Sequence, residues 1–340
     1  MKLKEPVKNI DLEKRVFAAS ARDFNALAIE LFNYQYENNR VYRQYCDLRK
    51  TDADKIAFTH QIPFLPISFF KTHEIKTGDF EPEAIFESSG TTQSGNSRHF
   101  VKQLDVYRKS FMLCFEKFYG SANNKCILGL LPSYLERENS SLLMMVDELI
   151  KASNNEFSGF YLYDHERLHR TIMHNELLKK TTLLIGVTWA LLDFAEQFPM
   201  QLRNTIVMET GGMKGRRREM TRQEVHTILQ KQLGSTLIHS EYGMTELLSQ
   251  AYSKGDGIFH GPPWMKILLR NEDDPLHVFE TRGENSKPIN GVINIIDLAN
   301  IYGCGFIATD DAGRLHSNGS FEVLGRVDNS DVRGCSLMVI

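Results

Sequence analysis

Between residues 86 and 100 the chain reads FESSGTTQSGNSRHF, in which Ser88, Ser89, Gly90, Thr91 and Thr92 are consecutive. Such a loop can wrap a polyphosphate, because glycines let the backbone approach closely while N–H and O–H donors satisfy the phosphate oxygens. It lacks the GxxxxGK[ST] spacing of a Walker loop, and the same composition also suits a solvated surface loop. Further on, ETGGMKGRRREM sets Thr210, Gly211 and Gly212 directly after the strand-like NTIVM. That is the carboxyl end of a strand, where open α/β sheets bind ligands. Lys214, Arg216, Arg217 and Arg218 suit either a phosphate or carboxylate contact or a solvated helix start. Cys335 offers a thiolate nucleophile, although a cysteine near an apolar chain end is ordinarily a small packed residue. In YDHERLHRT, His165, Glu166 and His169 satisfy HExxH, the zinc and general-base pattern of a peptidase helix. Its flanks Asp164, Arg167 and Arg170 are charged, and no third ligand stands at a recognisable spacing, so a polar helix face is the expected reading.

The elements that must position these residues follow from periodicity. Residues from about 20 to 50 carry apolar and aromatic positions at helical spacing, and the two prolines of PFLPISFFK then break the pattern into a loop. CILGLLP, FYLY, TLLIGV and NTIVMET read as short buried strands, separated by the helical SSLLMMVDELIKAS, ALLDFAEQF and TRQEVHTILQKQL. Short apolar strands alternating with amphipathic helices predict an α/β fold with a mainly parallel sheet. After Leu233 come closely spaced strand-like pieces, TLIHSEY, WMKILLR, PLHVFETR, GVINIIDL and SFEVLGR, which predict a smaller β subdomain. The expected organisation is a helical opening segment (1–60), an α/β nucleotide-binding core (61–233), a β-rich subdomain completing the site (234–324) and a hinge-like tail carrying Cys335 (325–340).

In this order the motifs resemble those of the adenylate-forming acyl and aryl CoA ligase superfamily. SSGTT resembles its phosphate-binding loop, and HSEYGMTE resembles its YGxTE segment. That resemblance implies a Tyr242 ring against adenine beside Gly243, Thr245 on the α-phosphate, and Glu246 holding Mg²⁺, a hard dication suited to carboxylate oxygen. ATDDAGRL resembles TGDxG, with Asp311 on the ribose hydroxyls and Asp310 in place of the usual glycine. GRVDNSD resembles the GRxDD hinge, with Arg326 reaching the nucleotide and Asp328 marking the pivot. TGGMKG, PFLPISFFK with its Lys71, and RGCSLMV resemble segments of the LuxE-type acyl-protein synthetases within that superfamily. There the cysteine, here Cys335, takes the acyl group. The superfamily's catalytic lysine lies in a C-terminal lid domain, which is expected to be missing here, so either Lys214, Lys71 or Arg98 serves beside Mg²⁺ or activity needs a separate protein.

The 340 residues are 42% hydrophobic and 24% charged with a formal charge of -3, ordinary globular values that call for neither a nucleic acid nor an anionic membrane as partner. Five scattered cysteines without a CxxC pair suggest reduced thiols, and no apolar run approaches the ~18 residues of a membrane span, so a cytoplasmic enzyme without a membrane span is expected. The expected activity is ATP- and Mg²⁺-dependent activation of a carboxylic acid, first a fatty acid, followed by transfer to Cys335 for delivery to an acyl reductase. The alternatives are an acyl or aryl CoA ligase of the phenylacetate type, a zinc peptidase, and a non-catalytic adenylation-like scaffold. Phe157, Phe160, Tyr161, Trp189 and Tyr242 can line an acyl pocket or simply be core.

Overall fold

The computed structural model describes residues 9–88, 95–131, 139–212, 216–218, 220–279 and 286–327. It opens with helices α1 (Asn9–Phe17), α2 (Phe24–Asn38) and α3 (Arg40–Leu48). α2 buries Phe24, Leu27, Ala28, Leu31 and Gln35 at steps of three and four, the period read from the sequence. Asn39 separates α2 from α3 and caps the latter by accepting from the Tyr42 amide. The proline-containing stretch is more ordered than a loop. It forms the short strand β1 (Leu65–Pro66) and a single helical turn, α4 (Phe69–Thr72), that carries Lys71. Next come β2 (Ala84–Glu87), β3 (Arg98–Val101) and α5 (Leu104–Tyr119).

Strand and helix then alternate as the periodicity predicts: β4 (Cys126–Leu130), α6 (Ser141–Ser153), β5 (Gly159–Phe160), α7 (His165–Leu177), β6 (Thr182–Val187), α8 (Thr188–Gln197), β7 (Thr205–Thr210), α9 (Arg222–Leu233) and β8 (Ile238–Tyr242). The last strands are β9 (Ala251–Ser253), β10 (Ile258–His260), β11 (Met265–Arg270), β12 (Ile289–Asp297), β13 (Phe306–Leu315) and β14 (Phe321–Arg326).

The described residues divide into two compact units, the first drawn from 1–110, 244–249 and 261–319, the second from 111–243, 250–260 and 320–340. In the second unit β5, β4, β6, β7 and β8 pair in parallel, in that order. β9, β10 and β14 follow antiparallel. All residues of β4 and β6 are buried, as expected of parallel strands covered on both faces. The strand expected over FYLY stops at Phe160, because the Asp164 amide turns back to the Tyr161 carbonyl, Leu162 adopts φ +48°, and the Asp164 side chain caps α7. Thr221 and Glu224 cap α9 reciprocally, and Gly234 closes it at φ +59°.

In the first unit β11, β12 and β13 are antiparallel, and β1 lies parallel to β13. Phe306 of β13 meets Phe32, Tyr42 and Phe64, so the opening helices pack on this strand. PLHVFETR, expected as a strand, makes a single bridge among the described residues, Arg270 to Val278, after a turn in which the Asn271 side chain accepts from the Asp273 and Asp274 amides.

Candidate functional site

In the second unit, the carboxyl ends of β6, β7 and β8 carry Thr188, Thr210 to Gly212, and Tyr242 with Gly243. Thr188 donates its hydroxyl to the Gly211 carbonyl at 2.7 Å and to Glu209 at 3.1 Å, which fixes the turn after β7. Gly211 sits at φ +69°, a conformation that favours glycine, and Gly212 has no atom within 4 Å of where a Cβ would stand. Among the described residues, this turn therefore borders open space.

Two buried carboxylates underlie it. Glu209 is pushed up by burial, but His226 at 3.7 Å, Arg222 at 3.5 Å and Ser240 outweigh that and hold it below the ordinary value. Glu241 has no cation beside it among the described residues. Burial, with a contribution from Glu209, raises it to about 7 against the opposing hydrogen bond from Thr210 at 2.5 Å. A Cβ on Gly243 would lie 2.5 Å from Glu241 Oε1, so the glycine of YGMTE makes room for the carboxyl beneath it. Tyr242 is buried against Phe259 and Phe321 at 5.8 and 5.6 Å. Arg326 stands exposed at the end of β14.

The first unit carries Ser88, Thr245, Glu246 and Asp311. The β2–β3 hairpin flanks the hydroxyl and glycine loop, whose base is closed by Ser88 N to Ser97 O at 3.0 Å and Ser97 N to Ser88 Oγ at 2.9 Å. Glu246 is buried in a turn held by three side chains. His99 of β3 bonds the Thr245 carbonyl through Nδ1 at 2.8 Å. Asn300 donates Nδ2 to the Glu246 carbonyl at 2.9 Å and turns Oδ1 to His99 Nε2 at 3.2 Å. Asp297 accepts from the Leu248 and Ser249 amides and the Ser249 hydroxyl. Burial lowers the His99 pKa, against the raising effect of its two hydrogen bonds.

Asp310 and Asp311 occupy a wide bulge. Between the pairs Val292 with Ala312 and Asn294 with Ala308, one residue of β12 faces three of β13, Thr309, Asp310 and Asp311. Arg270 bonds the Thr309 carbonyl and Asn294 behind it. Bulges re-aim side chains, and the half-buried Asp311 stands where such re-aiming is available.

The chain thus brings Thr210, Gly211, Gly212, Tyr242, Gly243 and Arg326 into one unit and Ser88, Thr245, Glu246 and Asp311 into the other. Ser89, Gly90, Thr91, Thr92, Lys214, Asp328 and Cys335 lie outside the described residues. The donor chemistry fits the groups expected: a buried carboxylate at Glu246 suits a hard cation, and the Gly211–Gly212 turn leaves space for a nucleotide. Thr188, Glu241, His99, Asn300 and Asp297 were not singled out from sequence. Only the position of His99 and Glu241 next to quoted motifs could have drawn attention to them.

The HExxH imidazoles are engaged separately. His165 bonds Gln197 at 2.9 Å, and His169 stacks on Phe198 at 4.9 Å. Tyr161, with its hydroxyl on the Phe157 carbonyl, and Trp189 are buried in the second unit, and Phe160 covers Gly129. No helix among the described residues is long and apolar enough to cross a membrane.

Residues 12–142 match the family of acyl-protein synthetases, LuxE, which bears out the resemblance over that stretch. A segment of 66 residues, 19% of this chain, is 38% identical to the long-chain-fatty-acid–luciferin-component ligase of Photorhabdus luminescens and spans 56% of that protein. Among solved structures, the O-succinylbenzoate coenzyme A synthetase of Bacillus subtilis in complex with ATP and magnesium ion is similar over 71% of this chain and 49% of its own, at 16% identity and a TM-score of 0.50. The same enzyme with its acyl-adenylate intermediate gives 0.50 over 71% of this chain and 48% of its own, at 16% identity. The chain has the α/β fold of the adenylate-forming ligases and spans about half the length of the relatives it matches.

Proposed function

We propose that the protein activates a carboxylic acid, in the first instance a fatty acid, with ATP and then carries the acyl group on Cys335 as a thioester for delivery to an acyl reductase. The observation that carries this reading is the first unit's arrangement of the Ser88–Ser97 hairpin loop with a Thr245–Glu246 turn anchored by side chains, in a chain whose residues 12–142 match acyl-protein synthetases. In this reading Mg²⁺ held by Glu246 supplies charge neutralisation on the phosphates, together with Ser88, Ser89, Gly90, Thr91 and Thr92. Thr245 bonds the α-phosphate. The Thr210–Gly211–Gly212 turn and Tyr242 receive the adenine, Asp311 takes the ribose hydroxyls, and Arg326 reaches the nucleotide.

The steps balance as follows. A carboxylate oxygen of the acid attacks the α-phosphorus of ATP, the bond to the β-phosphate oxygen breaks, and pyrophosphate leaves. The Cys335 thiolate then attacks the acyl carbon of the adenylate, and AMP leaves with the bridging oxygen. Lys214 is assigned to the acyl-phosphate end of the site.

A second reading, with coenzyme A as acyl acceptor, is favoured by the names of the similar solved structures, which are coenzyme A synthetases. Intact mass after incubation with ATP, Mg²⁺ and fatty or aryl acids separates the two. The proposed function predicts an ATP-dependent, hydroxylamine-labile acyl adduct that is absent from Cys335→Ala. Acyl-CoA formed equally well by Cys335→Ala would replace it with the second reading.

A further inference from the structure

Among the described residues, His99 joins the β2–β3 hairpin to the turn that carries Thr245 and Glu246. His99 lies on β3, two residues beyond Ser97, where the loop base closes. Its imidazole is 1% exposed, edge-on to Phe70 at 5.9 Å, and so closely enclosed that a Cβ on Gly303 would lie 2.9 Å from Nε2. A carbonyl oxygen can only accept, so the 2.8 Å contact with Thr245 requires the proton on Nδ1. Asn300 has its orientation set in the same way, because the Glu246 carbonyl can only accept from Nδ2. Ring and amide therefore grip two consecutive carbonyls, those of Thr245 and Glu246, and the ring belongs to the strand that leaves the loop.

We infer that His99 is a positioning residue that sets the spacing between the Ser88–Ser97 base of the β2–β3 hairpin and the Glu246 turn. This deepens the proposed function and rests on its assignment of Glu246 to Mg²⁺. Mg²⁺, if held by Glu246 to neutralise phosphates seated at this hairpin, would need that carboxylate at a fixed place, since oxygen ligands lie within a few tenths of an ångström of their preferred distance. A mobile Glu246 turn would leave the loop able to bind phosphates and the carboxylate able to miss the metal. The metal-dependent part of nucleotide binding is then the quantity that His99 controls.

The test is calorimetric titration of the full chain with Mg·ATP and with ATP in excess chelator, for wild type, His99→Phe and His99→Gln, with the folded fraction taken from circular dichroism. Phe keeps a ring against Phe70 and removes the hydrogen bond to the Thr245 carbonyl, whereas Gln restores a donor. The expected result is a preference for Mg·ATP over free ATP that falls about tenfold in His99→Phe, the equivalent of about 1.4 kcal/mol, with free ATP unchanged and partial recovery in His99→Gln. An unchanged preference in the folded variants overturns the inference. So does a parallel loss of both affinities in proportion to unfolded protein, or a wild type that does not distinguish Mg·ATP from ATP. If His99→Phe fails to fold, His99→Gln carries the same reading with a smaller fall. Acid-dependent pyrophosphate exchange is measured alongside. Its absence in a wild type that prefers Mg·ATP would sink the proposed acyl activation while leaving the positioning role decided by the titrations.

Discussion

Glu241 is predicted to make folding stability fall as pH rises through neutrality, and Glu241→Gln is predicted to abolish that fall. The carboxyl is buried on β8 with no cation beside it among the described residues, burial raises it to about 7, and the Thr210 hydroxyl compensates only in part. A carboxyl whose folded pKa lies above its ordinary 4.5 binds its proton more tightly in the fold than in the unfolded chain. Its contribution is therefore fully present below about pH 4.5 and is lost as pH rises through about 7. The difference of about two and a half pKa units corresponds to about 3 kcal/mol between pH 4.5 and 8. Urea unfolding followed by fluorescence at pH steps from 5 to 8.5, on wild type and variant in parallel, reads it directly. His99 and His239 are both lowered by burial, His239 to about 4, and act in the opposite sense, losing stability as pH falls. They are common to both proteins and cancel in the comparison. The expected result is a variant that gains on wild type progressively from pH 5 to about pH 7 and then levels off, by about 2.5 kcal/mol over the range measured. Two stability curves that stay parallel from pH 5 to 8.5 would refute the assignment of a neutral acid at this position.

Two further predictions concern packing. Gly243→Ala would put a methyl 2.5 Å from Glu241 Oε1, so a loss of about 1–3 kcal/mol in urea unfolding is expected, and no loss would mean that the carboxyl moves freely aside. Glu176 on α7 accepts from the Arg203 and Asn204 amides, the Asn204 side chain and the Thr205 hydroxyl at the start of β7. Glu176→Ala should therefore cost about 2 kcal/mol. ATP-dependent acylation per folded molecule should be retained, and a selective loss of acylation would give this glutamate a role in the site.

The alternation of strands and helices from Cys126 to Tyr242 was legible because fully buried strands such as TLLIGV and capped helices such as TRQEVHTILQKQL carry strong local signals. FYLY misled because a left-handed Leu162 and the Asp164 cap end the strand at Phe160, a tertiary arrangement that apolar composition does not encode. In the candidate site, the glycines and carboxylates of the motifs were readable as short patterns. The residues that hold those motifs were not, since Asn300 and Asp297 come from positions some fifty residues away from the turn they support. Their partners are main-chain groups, and a main-chain group leaves no trace in residue type. Glu241 was hidden for a different reason: its meaning depends on burial, which a single polar letter inside a strand does not announce.

Asp297 has a kinetic consequence. Its fully buried carboxylate is raised by burial and held back by donors alone, from Ser249, Leu248 and Ala299. Releasing any of these donors leaves an anion short of a partner in an apolar interior, so partial fraying of the turn is disfavoured and opening becomes cooperative. The Leu248 and Ser249 amides should accordingly exchange with deuterium together and slowly, at a rate set by unfolding of the surrounding unit. Ser88 and Ser97, by contrast, are joined by two hydrogen bonds of their own, so their amides should exchange independently of that turn.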